Sequence, residues 1–188
     1  QGRAKYGIAD DTLVVGQVGR LAPIKNHALM IQVAELVKMK KLNIKFLIAG
    51  SGELEEELQN RIKVNQLEDY VQLIGRVSPI ADLFPVMNGL LFPSINEGLG
   101  TSAIESQAAG VPVVLSNTIP MEVELGIDLL YRVDLNATPN EWLKEILKAS
   151  KNRSVESSDR LMALERNNYT NIQAAKLYAS SIAEYTNY

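Results

Sequence analysis

Short apolar segments rich in β-branched residues alternate along the chain with longer segments in which apolar residues recur at helical spacing. The short segments cover residues 12–18, 44–50, 70–75, 89–93 and 111–116, and a weaker sixth covers 129–133. None of them alternates strictly between apolar and polar positions, which is typical of strands that are buried on both faces. The pattern therefore predicts a parallel sheet of about six strands.

The longer segments predict helices between these strands. Residues 26–40 place four apolar residues on one helical face, with Met30 and Ala34 beside them: Leu29, Val33, Leu36 and Val37. Residues 53–65 carry apolar residues at every fourth position: Leu54, Leu58 and Ile62. Further helices are predicted at 79–87, 101–109 and 140–149. Strands and helices in alternation indicate right-handed crossovers, and so an α/β fold with helices on both faces of the sheet.

The carboxyl-terminal tail, residues 154–188, is also helical by pattern. We expect its buried side to be formed by Leu161, Leu164, Tyr178, Ile182 and Tyr185. No repeat, low-complexity tract or linker interrupts the chain, so the sequence predicts a single domain over residues 1–188 with this helical tail.

Composition excludes several classes of function. The 188 residues include 22 acidic and 19 basic side chains, a formal net charge of -3, so there is no basic excess to bind nucleic acid. The chain has no cysteine and one histidine, which excludes disulfides and thiolate zinc sites and argues against a histidine-rich metal site. No apolar run approaches the roughly 20 residues of a transmembrane helix.

Four glycines come at or just after the ends of predicted strands: Gly19, Gly50, Gly52 and Gly75. In an open parallel sheet, ligands bind in the crevice beyond the carboxyl ends of the strands. Each glycine alone could simply form a tight turn, but four of them on one rim favour a ligand site.

The stretch "GRLAPIKNH", residues 19–27, follows the first strand and carries two cations. Arg20 offers a planar fork of donors and Lys25 a compact ammonium, which together can clamp a diphosphate. Taken alone, the pair is better explained as solvated surface charge.

A second stretch, "INEGLGTSAIESQAAGVPVV" at residues 95–114, favours a site. Gly98 and Gly100 allow close approach of a ligand, and Thr101 or Ser102 is a plausible amino-terminal cap of a helix whose free N–H groups attract phosphate. Glu105, just over one turn into that helix, can accept hydrogen bonds from vicinal hydroxyls such as those of a ribose, while Glu97 would face the other end of the ligand. The pair is not placed for paired-carboxylate hydrolysis.

With "IAGSGEL" at residues 48–54, these stretches resemble the carboxyl-terminal, donor-binding domain of the retaining GT-B glycosyltransferases of family 4, the glycosyl transferases group 1. The resemblance covers roughly residues 12–150 and keeps the order of the motifs. Its most specific part is the Glu-x7-Glu element formed by Glu97 and Glu105. It implies a Rossmann-like domain that forms one half of a GT-B fold.

The resemblance also implies roles for individual residues. Arg20 and Lys25 would hold the diphosphate with the backbone amides of Leu99, Gly100 and Thr101, and Arg20, Lys25 and Glu97 would be the catalytic set. Glu97 would face the hydroxyls of the transferred sugar and Glu105 would hold the ribose. The base would lie near Arg76, Val77 and Gly52, and the backbone at Gly19 and Gly98 would line the donor. No metal or other cofactor is expected, which agrees with the lack of an Asp-x-Asp triplet.

The expected function is transfer of a hexose from a UDP- or GDP-sugar to an acceptor hydroxyl of a saccharide or lipid, in cell-surface polysaccharide or glycolipid synthesis. Because the chain supplies one domain, we expect an amino-terminal acceptor domain outside this sequence and no transfer by this chain alone. We expect the full-length protein in the cytoplasm, with peripheral contact at the inner face of the membrane.

One departure in sequence, one expectation about His27 and three alternatives accompany this interpretation. Ser106 stands where the family usually has alanine, and His27 beside Lys25 is expected to pack or cap rather than to act as a base. A non-catalytic nucleotide-sugar-binding module and a nucleotide-sugar epimerase of GT-B fold remain alternatives. A dehydrogenase is disfavoured because no Gly-x-Gly-x-x-Gly joins the first strand to its helix.

Overall fold

The computed structural model of the chain describes residues 2–152 and 155–170. The strands are β1 (Leu13–Val18), β2 (Ile44–Ala49), β3 (Val71–Gly75), β4 (Gly89–Phe92), β5 (Val113–Ser116) and β6 (Leu130–Val133). The helices are α1 (His27–Met39), α2 (Glu55–Val64), α3 (Thr101–Ala108), α4 (Pro139–Ala149) and α5 (Ser157–Arg166). Short 3-10 turns cover Ala4–Tyr6, Pro23–Lys25, Ile80–Asp82, Phe84–Val86 and Met121–Val123.

The six strands form one parallel sheet in the order β3-β2-β1-β4-β5-β6. β1 pairs with β2 along its whole length, from Leu13 opposite Ile44 to Val18 opposite Ala49, and pairs with β4 on its other side. This is the doubly wound, Rossmann-like arrangement, in which the sheet grows outward from β1 in one direction and then from β4 in the other. The predicted α/β fold and all six strands are confirmed.

Both faces of the sheet are covered, which explains the continuous apolar runs in the sequence. Successive residues of a strand point to opposite faces. Phe46 and Ile48 of β2 therefore pack against α1, α2 and α4, while Leu47 and Ala49 belong to the core on the side of α3 and α5. A strand with both faces buried has no position for a solvated polar side chain.

The predicted helix at 79–87 is wrong in type. The structure has two separate 3-10 turns there, Ile80–Asp82 and Phe84–Val86. Pro85 lacks the backbone N–H that a continuous α-helix would use and would clash with the preceding turn, so this segment cannot continue as one helix. Leu83, Phe84 and Val86 are nevertheless buried, and these are the residues that produced the apolar pattern.

The tail is confirmed as helical over α5, but its predicted buried side is wrong at one position. Leu161 is exposed, whereas Ala163 is buried and Leu164 packs partly against the core. Arg160 donates from Nη1 to the carbonyl oxygen of Ala108 at 2.9 Å, and Arg166 donates from Nη2 to that of Leu125, also at 2.9 Å. These contacts set the rotation of α5. Tyr178, Ile182 and Tyr185 lie outside the described residues.

Within residues 2–152 and 155–170, no helix combines the length and the apolar character needed to cross a membrane.

Candidate functional site

The loops that follow β1 and β4 lie side by side at the point where the strand order reverses. From this point α1 leaves toward one face of the sheet and α3 toward the other. Because α1 and α3 lead to opposite faces of the sheet, a crevice opens between the two loops. Doubly wound sheets bind ligands in such a crevice. Both sequence stretches with candidate site residues, 19–27 and 95–105, fall at this crevice. The backbone joins them, since the amide of Ile95 donates to the carbonyl oxygen of Ile24 at 2.9 Å.

A cavity of about 470 Å³ lies beyond the carboxyl ends of β1, β2 and β3 and reaches the first turn of α3. Six of the residues that line it are Gly19, Arg20, Arg76, Val77, Ser102 and Glu105. The structure thus brings together five predicted site residues from three separate segments. Ser102 had been predicted only as a helix cap and is a lining residue that the sequence analysis did not identify.

Arg20 reaches from the loop after β1 toward the glycine turn after β2. Its Nη2 lies 3.4 Å from Oε2 of Glu53, and the two side chains are 71% and 56% exposed. An ion pair this exposed contributes little, so the guanidinium can turn toward a ligand at small cost. Glu53 was not singled out from the sequence, although it lies within the quoted stretch "IAGSGEL".

Lys25 and Glu97, which the sequence assigned separately to a ligand, contact each other. Lys25 Nζ lies 2.5 Å from Glu97 Oε1, and the side chains are only 19% and 14% exposed. The ammonium also lies 5.4 Å from the centroid of the Phe92 ring, and the methylene stem passes close to Gly19, where a Cβ would lie 3.4 Å from Lys25 Cε. Lys25 is therefore held on several sides.

The amino end of α3 differs from the prediction. Neither Thr101 nor Ser102 caps it: the helix begins at Thr101, and the cap position is Gly100, whose φ of 72° is in the left-handed region. The positive φ favours glycine, and a Cβ on Gly100 would also lie 3.2 Å from Val123 Cγ1, a tight contact that would require Val123 to shift slightly. The N–H of Ala103 donates to the carbonyl oxygen of Gly100 at 2.9 Å, and with no capping side chain among the described residues the N–H groups of Thr101 and Ser102 are available to an anion. Leu99 and Thr101, on either side, are exposed.

Glu105 lies at the cavity while its neighbours on α3 are buried. Partial burial raises the pKa of the Glu105 carboxyl. Ser106, the departure from the family pattern, donates from Oγ to the carbonyl oxygen of Val111 at 3.0 Å inside the core. Ser106 therefore affects packing and leaves the chemistry of the cavity unchanged.

Arg76 lines the far wall of the cavity, whereas Gly52 packs against the loop after β1 and is not among the lining residues. Arg76 Nε donates to Ser51 Oγ at 2.7 Å, which links the loops after β3 and β2. A Cβ on Gly52 would lie 2.4 Å from the carbonyl oxygen of Leu21, so any side chain there would push the glycine turn away from the loop after β1. Gly98, on the near side, is exposed.

His27 is buried at the start of α1, and neither ring nitrogen has a hydrogen-bond partner among the described residues. Burial, with a smaller contribution from the positive charge of Lys25, lowers the pKa of His27 to about 4. The imidazole is therefore neutral at pH 7 and packs in the core, as expected from the sequence.

Among residues 2–152 and 155–170, no cluster of three or more histidine, aspartate or glutamate side chains is arranged to hold a metal ion. That the reaction needs no metal stays a prediction.

The amino-acid sequence of the chain is similar to those of known glycosyltransferases. The profile of the family "Glycosyl transferases group 1" matches residues 1–168. EpsF of Bacillus subtilis (strain 168), a protein assigned to the glycosyltransferases, is 30% identical over 148 residues, which are 79% of this chain and 38% of EpsF. The O-antigen biosynthesis glycosyltransferase WclY of Escherichia coli is 28% identical over 176 residues, 94% of this chain and 48% of WclY. The chain thus spans less than half the length of these relatives.

The fold also matches solved structures. Anabaena HepE, solved in complex with UDP-glucose, superposes with a TM-score of 0.76 at 23% identity, over 95% of this chain and 51% of HepE. At this identity the likeness shows a shared fold.

Proposed function

This chain belongs to the glycosyl transferases group 1 family, and on that basis we propose that it binds the sugar donor in a retaining glycosyltransferase. The donor would be a UDP- or GDP-sugar and the acceptor a hydroxyl group of a saccharide or lipid, so the full-length protein would be a hexosyltransferase. The relative WclY is named for O-antigen biosynthesis, and we place the product in cell-surface polysaccharide or glycolipid synthesis.

The observation that carries this proposal is the convergence of Arg20, Glu105 and the first turn of α3 on one cavity. The cation and the helix amino terminus suit the diphosphate of a nucleotide sugar, and the carboxylate suits its ribose hydroxyls. The diphosphate would lie against the amino end of α3, with Arg20 and Lys25 supplying positive charge. Glu105 would accept hydrogen bonds from the ribose hydroxyls.

The base is assigned from the lining of the cavity, whereas the roles of Lys25, Glu97, Gly98 and Leu99, which do not line it, follow from the family resemblance. The base would lie beside Arg76 and Val77, where the loop after β3 closes the far wall. The transferred sugar would lie near Glu97, on the side of the crevice where α1 and α3 diverge. The backbone at Gly19, Gly98 and Leu99 would border the donor.

The groups that bind the diphosphate would also assist transfer of the sugar. Breaking the bond between the sugar and the diphosphate leaves negative charge on the leaving group, and positive groups that are already in place stabilise that charge as it develops. Arg20, Lys25 and the N–H groups of α3 would do this without a metal ion. In a retaining reaction the acceptor hydroxyl attacks the anomeric carbon from the face that the leaving group vacates.

The acceptor would be bound by an amino-terminal domain outside this sequence, because the matched relatives are more than twice as long as the matched segment. We propose that this chain alone binds donor without appreciable transfer, and that the full-length protein acts in the cytoplasm at the inner face of the membrane.

Titration of the purified chain with UDP, GDP and ADP, followed by isothermal calorimetry, tests the proposal. One of the three should bind below millimolar concentration. Arg20→Ala, Lys25→Ala and Glu105→Ala should each weaken that binding by about tenfold or more, because each removes a charge-assisted contact.

Arg61→Ala is the matched control. Arg61 is an exposed arginine on α2 paired with Glu57 at 2.7 Å and is not among the residues that line the cavity. Its removal should leave nucleotide affinity unchanged. Absence of binding by all three nucleotides, or equal affinity of the site variants and the control, would refute the proposal. Binding without transfer by the full-length protein would instead favour the non-catalytic module.

A further inference from the structure

We propose that Glu97 is a built-in competitor of the diphosphate for Lys25, so that the site retains the sugar donor more tightly than the spent nucleoside diphosphate. This inference rests on the proposed function, since it concerns the same site. It adds a property of Glu97 that differs from contact with the sugar: control of how strongly Lys25 holds an anion.

The contact between the two side chains carries the first step. Lys25 Nζ and Glu97 Oε1 are 2.5 Å apart, and both side chains are largely shielded from water. Shielding strengthens the attraction between opposite charges because solvent screens it less. Any other anion that approaches Lys25 must therefore weaken a strong existing contact.

The second step concerns repulsion. The ammonium lies in direct contact with the Glu97 carboxylate and 5.4 Å from the Phe92 ring centroid, so its stem and head are confined. A phosphate oxygen that binds this ammonium comes within a few ångströms of the carboxylate, and two like charges at that distance repel each other. Glu97 thus opposes binding of a bare diphosphate.

The sugar changes this balance. A nucleotide sugar has hydroxyl groups beside its diphosphate, and a carboxylate accepts hydrogen bonds from hydroxyls. The product, a nucleoside diphosphate, lacks those donors and gains a terminal phosphate with additional negative charge. The same carboxylate therefore favours the donor and disfavours the product, which promotes product release.

Arg20 and Glu53 form a second ion pair near the site, and this pair can be compared with the pair of Lys25 and Glu97. The nearest nitrogen and oxygen of Arg20 and Glu53 are 3.4 Å apart, and both side chains are more than half exposed. An exposed pair of this length has little interaction energy to lose. We therefore expect Glu97, but not Glu53, to compete with the diphosphate for its cation.

The loop after β1, which carries Lys25, and the loop after β4, which carries Glu97, are held in place by contacts other than the Lys25–Glu97 pair. The backbone bond from Ile95 to Ile24 joins the two loops, and Gln17 Nε2 donates to the carbonyl oxygen of Lys25 at 2.7 Å. A glutamine at position 97 can still accept a hydrogen bond from Lys25. Glu97→Gln should therefore fold normally, with a melting temperature close to that of the unsubstituted chain.

Calorimetric titration with UDP, or with GDP or ADP if that is the nucleotide the unsubstituted chain binds, tests the inference. Glu97→Gln should bind the nucleoside diphosphate about three- to thirtyfold more tightly, since one partly buried negative charge is removed. Glu97→Asp, which keeps the charge, should stay close to the unsubstituted chain. Glu53→Gln should change the affinity by less than about twofold.

Titration with UDP-glucose, or the corresponding sugar form of the nucleotide that binds, completes the test. Glu97→Gln should tighten binding of the sugar nucleotide less than binding of the bare diphosphate, because a neutral amide accepts weaker hydrogen bonds from the sugar hydroxyls than a carboxylate does, which offsets part of the removed repulsion. The inference is wrong if Glu97→Gln binds the nucleoside diphosphate no more tightly than the unsubstituted chain does. It is also wrong if the substitution tightens binding of the nucleoside diphosphate and of the sugar nucleotide by the same factor. If the unsubstituted chain binds none of the nucleotides, the proposed function fails and this inference fails with it.

Discussion

The side-chain amide of Asn26 donates to the carbonyl oxygen of Pro93 at 3.3 Å, joining two residues that are 67 positions apart in the chain. Asn26 is the residue between the 3-10 turn that carries Lys25 and helix α1, and its φ of 53° is left-handed. Pro93 follows β4 and begins the loop that carries Glu97. This contact, with the backbone bond between Ile24 and Ile95, holds the cation-bearing loop against the loop that leads into α3.

Asn26→Ala and Asn26→Gly should separate the two contributions of this residue. Alanine loses the hydrogen bond to Pro93 and must also adopt the left-handed conformation, which together should lower the free energy of unfolding by about 2 kcal/mol. Glycine loses only the hydrogen bond and should cost about 1 kcal/mol or less. Urea denaturation measures both. Equal losses in the two variants would show that backbone conformation at this position is unimportant.

Gln107 joins α3 to the segment after β5 and should be sensitive to substitution. Its Nε2 donates to the carbonyl oxygens of Val123 and Ala103 at 2.7 and 3.0 Å, and its Oε1 accepts from the amide of Leu125 at 3.2 Å. Gln107→Leu has a similar size but leaves these buried backbone groups without that partner, so it should lower the free energy of unfolding by about 2–4 kcal/mol.

Ser106→Ala is the control for Gln107→Leu, because the adjacent buried serine makes one side-chain hydrogen bond, to Val111. It should cost only about 1 kcal/mol. Denaturant unfolding of both variants would test this ranking, and a loss for Gln107→Leu no greater than that for Ser106→Ala would contradict it.

His27→Leu should change how stability depends on pH. Burial and Lys25 lower the pKa of His27 to about 4 in the folded chain, against 6.5 for the free side chain. Between these values the unfolded chain binds a proton that the folded chain does not. The free energy of unfolding should therefore fall as the pH decreases from about 6.5 to 4, with a contribution from His27 of up to about 3 kcal/mol.

Leucine cannot bind that proton, and it gives up no hydrogen bond seen among the described residues. The difference in unfolding free energy between His27→Leu and the unsubstituted chain should therefore grow in favour of leucine as the pH is lowered through this window. Chemical denaturation at several pH values gives the difference directly, and carboxylates common to both proteins cancel. A difference that is constant with pH would show that His27 is not held neutral by the fold.

Much of the fold could be predicted because burial determines both the pattern and the structure. All six strands lie within their predicted ranges, since strands covered on both faces have largely apolar sequences. The apolar pattern of 79–87 does not distinguish an α-helix from two 3-10 turns, because both bury apolar residues at a similar spacing; the feature that excludes one continuous helix is Pro85. Leu161 was placed on the wrong side of α5 because a short, weakly amphipathic helix can present more than one face, and Arg160 and Arg166 set its rotation.

By itself, the sequence determined the six strands and most of the helices, the segments that carry the polar groups of the site, and the family to which those motifs belong, because each depends mainly on neighbours within one stretch of chain. Only the tertiary structure decided that Lys25 pairs with Glu97, that Arg20 lies beside Glu53, and that Gly100 replaces a side-chain cap at α3. The physical reason is the strand order: β1 and β4 are neighbours in the sheet although two other strands separate them along the chain. Local patterns contain no information about that adjacency, and Lys25 meets Glu97 only because of it.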